Sequence, residues 1–240
     1  NNRNNNNNNN DNNNDDSNFP PPLPEPKYSV HKRVLPRSLI ELKSPQGRRM
    51  LIESLSRFGT AESYWCLMEQ FINQSDPAFC GVTTLLMVLN AMDLDPNVRW
   101  RGGWRYFGDE DMLLHRCCIQ PERIRRQGIT MEQFSSLAKC QGMKVTLKRP
   151  PPPPAAAEDD DDVKKKNTQE EEDCYTIQDF RNDICQILTT SHTTTTTNNN
   201  NHGILVVSYS RQVLGQTGDG HFSPIAAYHP TRDHVLILDV

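Results

Sequence analysis

QSDPAFCGVTTLLMVLN, residues 74–90, is the stretch whose reading decides the fold. It reads as a loop that runs into a buried helix with a cysteine where the helix begins. Asp76 is a capping residue type, and Pro77 suits a first helical turn. From there Val82, Leu85, Leu86, Leu89 and Met92 recur at the three-and-four spacing of one apolar helix face. The helix is predicted to stop at Asp95-Pro96, because the residue before a proline is pushed out of the α region. A thiol at a helix N-terminus meets the positive end of the dipole and unpaired N–H groups, which favour the thiolate. Gly81 is expected to leave the approach to Cys80 open, and Gln74 lies upstream within reach of a carbonyl under attack at the thiol. That pairing is a nucleophile with half an oxyanion hole. A cysteine that only packs at the start of an apolar helix is the commoner case. Cys80 therefore needs a base, and the base needs an orienting partner.

The end of the chain supplies both. HFSPIAAY (221–228) and HVLILDV (234–240) read as two strands joined by HPTRD (229–233). A hairpin folded about Pro230–Thr231 sets His221 directly opposite Asp239 on one face, with Cβ atoms about 4.5–5.5 Å apart. An aspartate there accepts from one imidazole nitrogen and leaves the other as a base. Taken singly, His221 reads as a solvated turn histidine and Asp239 as a strand-end carboxylate. Their opposition, beside the Gln74–Cys80 pair, is what favours catalysis. The other histidines (His31, His115, His192, His202, His229 and His234) show no comparable partner in the sequence.

Between these two ends the chain alternates foldable and low-complexity segments. Residues 1–26 are Asn-rich and then Pro-rich; 150–173 run from prolines through acidic and lysine blocks, and 193–201 are Thr then Asn. Such tracts lack the apolar surface that offsets chain entropy. Of 240 residues about 181 remain, enough for one domain over 27–240 with a sizeable core. The mean hydropathy of -0.72 reflects the tracts rather than a polar core. The net charge of -4 and the absence of a basic stripe argue against nucleic acid. No apolar run is long enough for a membrane span and no signal peptide opens the chain. Seven irregularly spaced cysteines fit reduced thiols in the cytoplasm. A first residue other than Met and a last strand cut short lead us to expect a fragment at both ends.

The coarse pattern is α+β. Residues 27–43 read as extended. Helices are expected at 44–57, where Ser44 caps and Pro45 opens, and at 61–72, with Tyr64, Leu67, Met68 and Phe71 inward. Further helices are expected at 109–118, 121–128, 130–141 and 176–189, with strands at 144–148 and 203–210. Trp100, Trp104, Tyr106 and Phe107 either wall a cleft or, more commonly, fill a core. Cys117-Cys118 is a candidate soft-metal contact, although adjacent cysteines on a helix point about 100° apart.

With these residues in view the chain resembles the phytochelatin synthase family of papain-like cysteine transferases. The resemblance is carried by KRVLP (32–36), NQSDPAFCGVTTLLMVLNAMDLDP (73–96), RWRGGWRYF (99–107), Cys117-Cys118, KCQGMKV (139–145) and SYSRQVLGQTGDGHFSPIAAYHPTRDHVLILDV (208–240). It implies a papain-like fold, a helical half and an antiparallel sheet half with the cleft between them. It implies glutathione and phytochelatins as substrates: a thiolate attacks the Cys-Gly bond, releases glycine, and passes γ-glutamylcysteine from a thioester to a second glutathione. Carried over by position, Cys80 is the nucleophile, His221 the base and then acid, Asp239 its orienting group, and Gln74 the oxyanion donor. Gly220 and Phe222 would touch substrate, and Cys117 and Cys118 would touch metal. No organic cofactor is implied. Cadmium or zinc would act mainly as the metal thiolate of glutathione, in heavy-metal detoxification, and a homodimer is left open. The inserts at 150–173 and 193–201 depart from the family core, and the chain ends before residues that complete the family's pocket. A glutathione hydrolase with the same residues, a non-catalytic thiol metal binder and a protease acting on proteins are the rival readings. The thiol binder is weakened because no CxxC or Cys/His ligand spacing occurs.

Overall fold

The computed structural model describes residues 34–99, 104–115, 119–151, 175–189 and 203–240. The expected tail and inserts, Cys117 and Cys118, and the tryptophan at position 100 lie outside them. Leu35–Val240 form one compact unit of helices around a small antiparallel sheet. Among the described residues the α-helices come first: α1 Pro45–Glu53, α2 Ser63–Glu69, α3 Cys80–Ala91, α4 Glu110–Leu114, α5 Pro121–Gln127, α6 Met131–Cys140 and α7 Ile177–Thr189. The strands of the described residues follow, β1 Val206–Tyr209, β2 His221–His229 and β3 His234–Ile237, in the order β1-β2-β3. The arrangement is α+β, as the pattern implied.

The helix ends follow local chemistry. Ser44 accepts from the Gly47 N–H and Pro45 opens α1, which closes through a π turn, Ser54–Phe58, and left-handed Gly59. Thr130 and Gln133 make a reciprocal capping box on α6. At α3 the expectation is corrected in detail. Asp76 does not cap the helix; its carboxylate accepts from the Ala78 N–H inside the preceding loop, and Cys80 is the first helical residue. The helix ends at Ala91, short of Asp95-Pro96, because Asp93 turns left-handed and the Leu94 N–H returns to the Leu89 carbonyl. Residues 81–90 are buried all round rather than on one stripe, as in a helix enclosed by other elements.

That burial defines the core. Val82, Leu85, Leu86 and Leu89 of α3 pack with Phe107, Leu113, Ile124, Phe134, Leu137 and Phe222. Met87 joins Leu67, Ala226 and Leu238, while α7 presents Ile184 and Leu188 to Ile225 and Tyr228. Strand β2 is thus covered on both faces, and every one of its residues is buried. A register shift between Ile225 and Ala227 explains why Tyr228 shares a cluster with Ile225 rather than with Ala226.

Other expectations are corrected here. Phe71 is exposed rather than inward because α2 ends at Glu69, before it; Met68 is exposed although it lies within α2, where Leu67 takes the fully buried position. Residues 144–148 make no strand. Phe107 is core, whereas Trp104 and Tyr106 are exposed. Gly81 serves packing rather than access: a Cβ there would lie 2.6 Å from Ile129 Cδ1 and 3.2 Å from the Phe222 ring. His229 does have a partner. It is buried, sits 2.7 Å from Glu53 Oε2 and ties α1 to β2.

Candidate active site

Three elements converge on Cys80. Helix α3 starts at the cysteine, β2 starts at His221, and the chain leaving β3 carries Asp239. The His221 side chain lies close enough to the Cys80 thiol for each to shift the other's titration. Its Nε2 lies 2.6 Å from Asp239 Oδ1, which leaves Nδ1 as the nitrogen for sulfur. His221 is only 5% exposed, so the solvated-turn reading is excluded.

The route by which Asp239 reaches His221 differs from direct opposition. The ladder pairs His229 with His234 and Ala227 with Leu236, then Ile225 with Ile237 after the shift. The Leu238 N–H still donates to the Pro224 carbonyl. Carried on, that register sets Asp239 against Ser223, diagonal to His221 on the same face. Diagonal neighbours lie about 7–8 Å apart at the backbone, within reach of side chains. The displacement comes from the turn, which pairs His229 with His234 instead of folding tightly about Pro230–Thr231; the bulged residue in β2 then returns Asp239 to the face of His221, diagonal to it.

Arg211 is a residue that sequence reading missed. Its Nη2 lies 2.5 Å from Asp239 Oδ1 and 2.7 Å from His221 Nε2. The signal was indirect. Strand β1 pairs Tyr209 with His221, so a residue just beyond Tyr209 emerges beside the imidazole. The Tyr209 ring meets His221 edge-on at 5.6 Å. A guanidinium has donors only, and Nε2–H also donates, so the Asp239 oxygen is the shared acceptor of both.

The electrostatics oppose burial at all three groups. Burial pushes the Cys80 thiol up, but the His221 hydrogen bond, the Phe222 backbone, the charge on His221 and the Gly81 backbone hold it below its ordinary 9.0. Burial pushes His221 down, yet its bonds to Asp239 and Cys80 leave it above its usual range, against the opposing charge of Arg211. Burial pushes Asp239 up, and the His221 hydrogen bond with the Arg211 charge brings it below 3.8. A depressed thiol beside a raised imidazole is the condition for a thiolate–imidazolium pair.

The other sequence candidates sit as follows. Gln74 is half-buried in the loop before α3; its amide donates to the Asp76 carbonyl at 2.9 Å, and its Oε1 is buried without a partner among the described residues. Phe222 sends its ring into the core, stacked on Phe134 at 5.1 Å, and only its backbone faces the thiol. Gly220 is exposed with φ of 73°, a left-handed turn directly before His221. Among the described residues no group of three or more His, Cys, Asp and Glu side chains could hold a metal ion.

Comparison with known proteins decides the kinship: the phytochelatin synthase family matches residues 30–240. The chain belongs to the phytochelatin synthase family. It is 38% identical over 212 residues to glutathione gamma-glutamylcysteinyltransferase 3 of Lotus japonicus, covering 88% of this chain and 37% of that protein. Against glutathione gamma-glutamylcysteinyltransferase of Schizosaccharomyces pombe the identity is 33% over 214 residues, covering 89% and 43%. Against glutathione gamma-glutamylcysteinyltransferase 2 of Arabidopsis thaliana it is 37% over 212 residues, covering 88% and 39%. This phytochelatin synthase family chain thus spans roughly two fifths of the length of these relatives. No helix among its described residues is long and apolar enough to cross a membrane.

Proposed function

We propose that this chain carries the acyl-transfer centre of a glutathione gamma-glutamylcysteinyltransferase, built on a papain-like arrangement of helical and sheet halves. What supports the reading is the His221–Asp239 contact at 2.6 Å beside a Cys80 thiol held below its ordinary value and an imidazole raised above its own. The relatives' names supply the substrate, glutathione.

The Cys80 thiolate attacks the carbonyl carbon of the Cys-Gly amide. The C–N bond breaks, the His221 imidazolium gives its proton to the departing glycine amine, and γ-glutamylcysteine remains as a thioester on sulfur. The amine of a second glutathione then attacks the thioester, His221 takes its proton, and Cys80 leaves as thiolate. Asp239 fixes the imidazole tautomer and stabilises its charge. A primary amide carries two N–H groups; Gln74 spends one on Asp76 and offers the second, with the Cys80 backbone N–H, to the oxyanion. Cadmium or zinc enters with the substrate, as the thiolate complex of the acceptor glutathione, in a cytoplasmic setting.

Arg211 keeps Asp239 ionised and restrains His221. Arg211→Met removes the charge that holds the imidazole down, so His221 stays protonated to higher pH. The alkaline limb of the kcat/KM profile for glycine release therefore moves upward in pH, while kcat falls.

Mass spectrometry of products from glutathione, with and without cadmium, tests the reaction. Oligomers of γ-glutamylcysteine ending in glycine, rising with metal, are expected. γ-Glutamylcysteine and glycine alone would make the chain a hydrolase with the same residues. Unchanged glutathione would refute acyl transfer by this chain.

A further inference from the structure

We infer that Glu110 is the positioning residue of the oxyanion side of the cleft, holding the Gln74 loop against α3. The inference rests on the reading of Gln74 given above. Glu110 opens α4, thirty residues from Cys80 in the chain, yet is only 7% exposed. Its Oε1 accepts from the Ser75 backbone N–H at 3.0 Å and from the Thr83 hydroxyl at 2.9 Å. Ser75 follows Gln74 directly, and Thr83 lies on α3 one turn beyond Cys80. One carboxylate oxygen therefore binds the loop that presents Gln74 to the helix that presents Cys80.

Among the described residues no other group ties that loop to α3 in this way. The remaining hydrogen bonds of residues 73–78 among the described residues close within the loop: Gln74 to the Asp76 carbonyl, Ala78 N–H to the Asp76 carboxylate, and Phe79 N–H to the Asp76 carbonyl. The carboxylate itself is well anchored. Asn90 of α3 brackets Phe107, donating to its carbonyl and accepting from its N–H, both at 2.8 Å. Asp109 caps α4 through the Met112 N–H at 2.9 Å. The buried helix thus fixes residues 107–110, and Glu110 returns that rigidity to Gln74. A buried carboxylate accepting two hydrogen bonds is costly to lose, because each donor is then left unpaired.

Geometry of this kind acts on the oxyanion and not on the sulfur. Glu110→Ala is expected to slow single-turnover glycine release about 10²-fold, the scale of a misplaced oxyanion donor. Alkylation of Cys80 by iodoacetamide needs no oxyanion hole, so its pH–rate profile is expected to stay unchanged. Glu110→Gln keeps an acceptor oxygen and is expected to restore most of the rate. The deciding measurement is the double-mutant cycle with Gln74→Ala. If Glu110 acts through Gln74, adding Glu110→Ala to Gln74→Ala costs little more. Full multiplication of the two losses, an inert Glu110→Ala, or a shifted alkylation profile overturns this inference while leaving Gln74 in place. Undiminished release in Gln74→Ala alone overturns the oxyanion reading and this inference with it. Should Glu110→Ala fail to fold, the same cycle with Thr83→Val decides: a loss absent in the Gln74→Ala background supports the inference, and a multiplying or absent loss overturns it.

Discussion

Cys80→Ser lowers glycine release from glutathione by about 10⁴-fold or more, the scale of removing a covalent nucleophile from a concerted group. The sulfur is singular here for electrostatic reasons. Burial alone would raise the thiol, and the His221 hydrogen bond, the Phe222 and Gly81 backbones and the His221 charge reverse that. A serine hydroxyl at the same place ionises far above the range those groups can reach, so the imidazolium–anion pair does not form. The substitution removes one polarizable atom from a half-buried site and leaves Val82, Leu85 and Leu86 packed as before, so urea unfolding is expected to change little. Release of glycine, acyl-enzyme mass and unfolding midpoint measured together separate lost chemistry from lost fold. Persistent glycine release by folded Cys80→Ser would sink the thioester mechanism. The same variant answers the rival binder, since a protein that merely sequesters metal through seven cysteines loses little capacity with one.

Asp239→Asn is the second large effect, about 10⁴-fold in kcat by analogy with the orienting aspartate of other relays. Asparagine can face Nε2 with its carbonyl oxygen or its amide nitrogen. Arg211, 2.5 Å from the present carboxylate, loses an anion in either case, and its charge then acts on His221 without compensation. Asp239 and Cys80 both raise His221, whereas Arg211 lowers it. The imidazole is therefore expected to titrate lower in the variant, and the thiolate it supports to form at higher pH. Iodoacetamide alkylation read against pH shows both: the acid limb of the wild-type profile moves up, toward the ordinary thiol value. An unmoved profile with normal turnover would mean that Asp239 is a bystander held by Arg211.

The two sides of the candidate site were legible for different reasons. Cys80 could be placed because a helix start is a local event: the apolar run of α3 is written in residues 82–89, and its burial follows from their chemistry. His221 and Asp239 could be joined because a short hairpin leaves few registers. The register still differed from the expected one, because the chain turns through Pro230–Arg232 and left-handed Asp233 before His229 meets His234, and a bulge between Ile225 and Ala227 then alters the pairing again. The inward direction of Phe71 failed for a tertiary reason: periodicity continues past Glu69, but the chain leaves the helix there to deliver the Gln74 loop.

Arg211 and Glu110 could not be read from the chain at all. Neither has a neighbour in sequence that marks it. Arg211 matters because β1 runs antiparallel beside β2 and ends next to His221. Glu110 matters because Asn90 folds residues 107–110 back onto α3. Gly81 was placed correctly and explained wrongly, since the atoms that demand it belong to Ile129 and Phe222. Sequence by itself determined the kinds of group and the elements that carry them: a thiol at a helix start, a histidine at a strand start, an acid at the end of the next. Only tertiary structure decided which charges face them, because hydrogen bonds and Coulomb interactions depend on distance in space and are blind to separation along the chain.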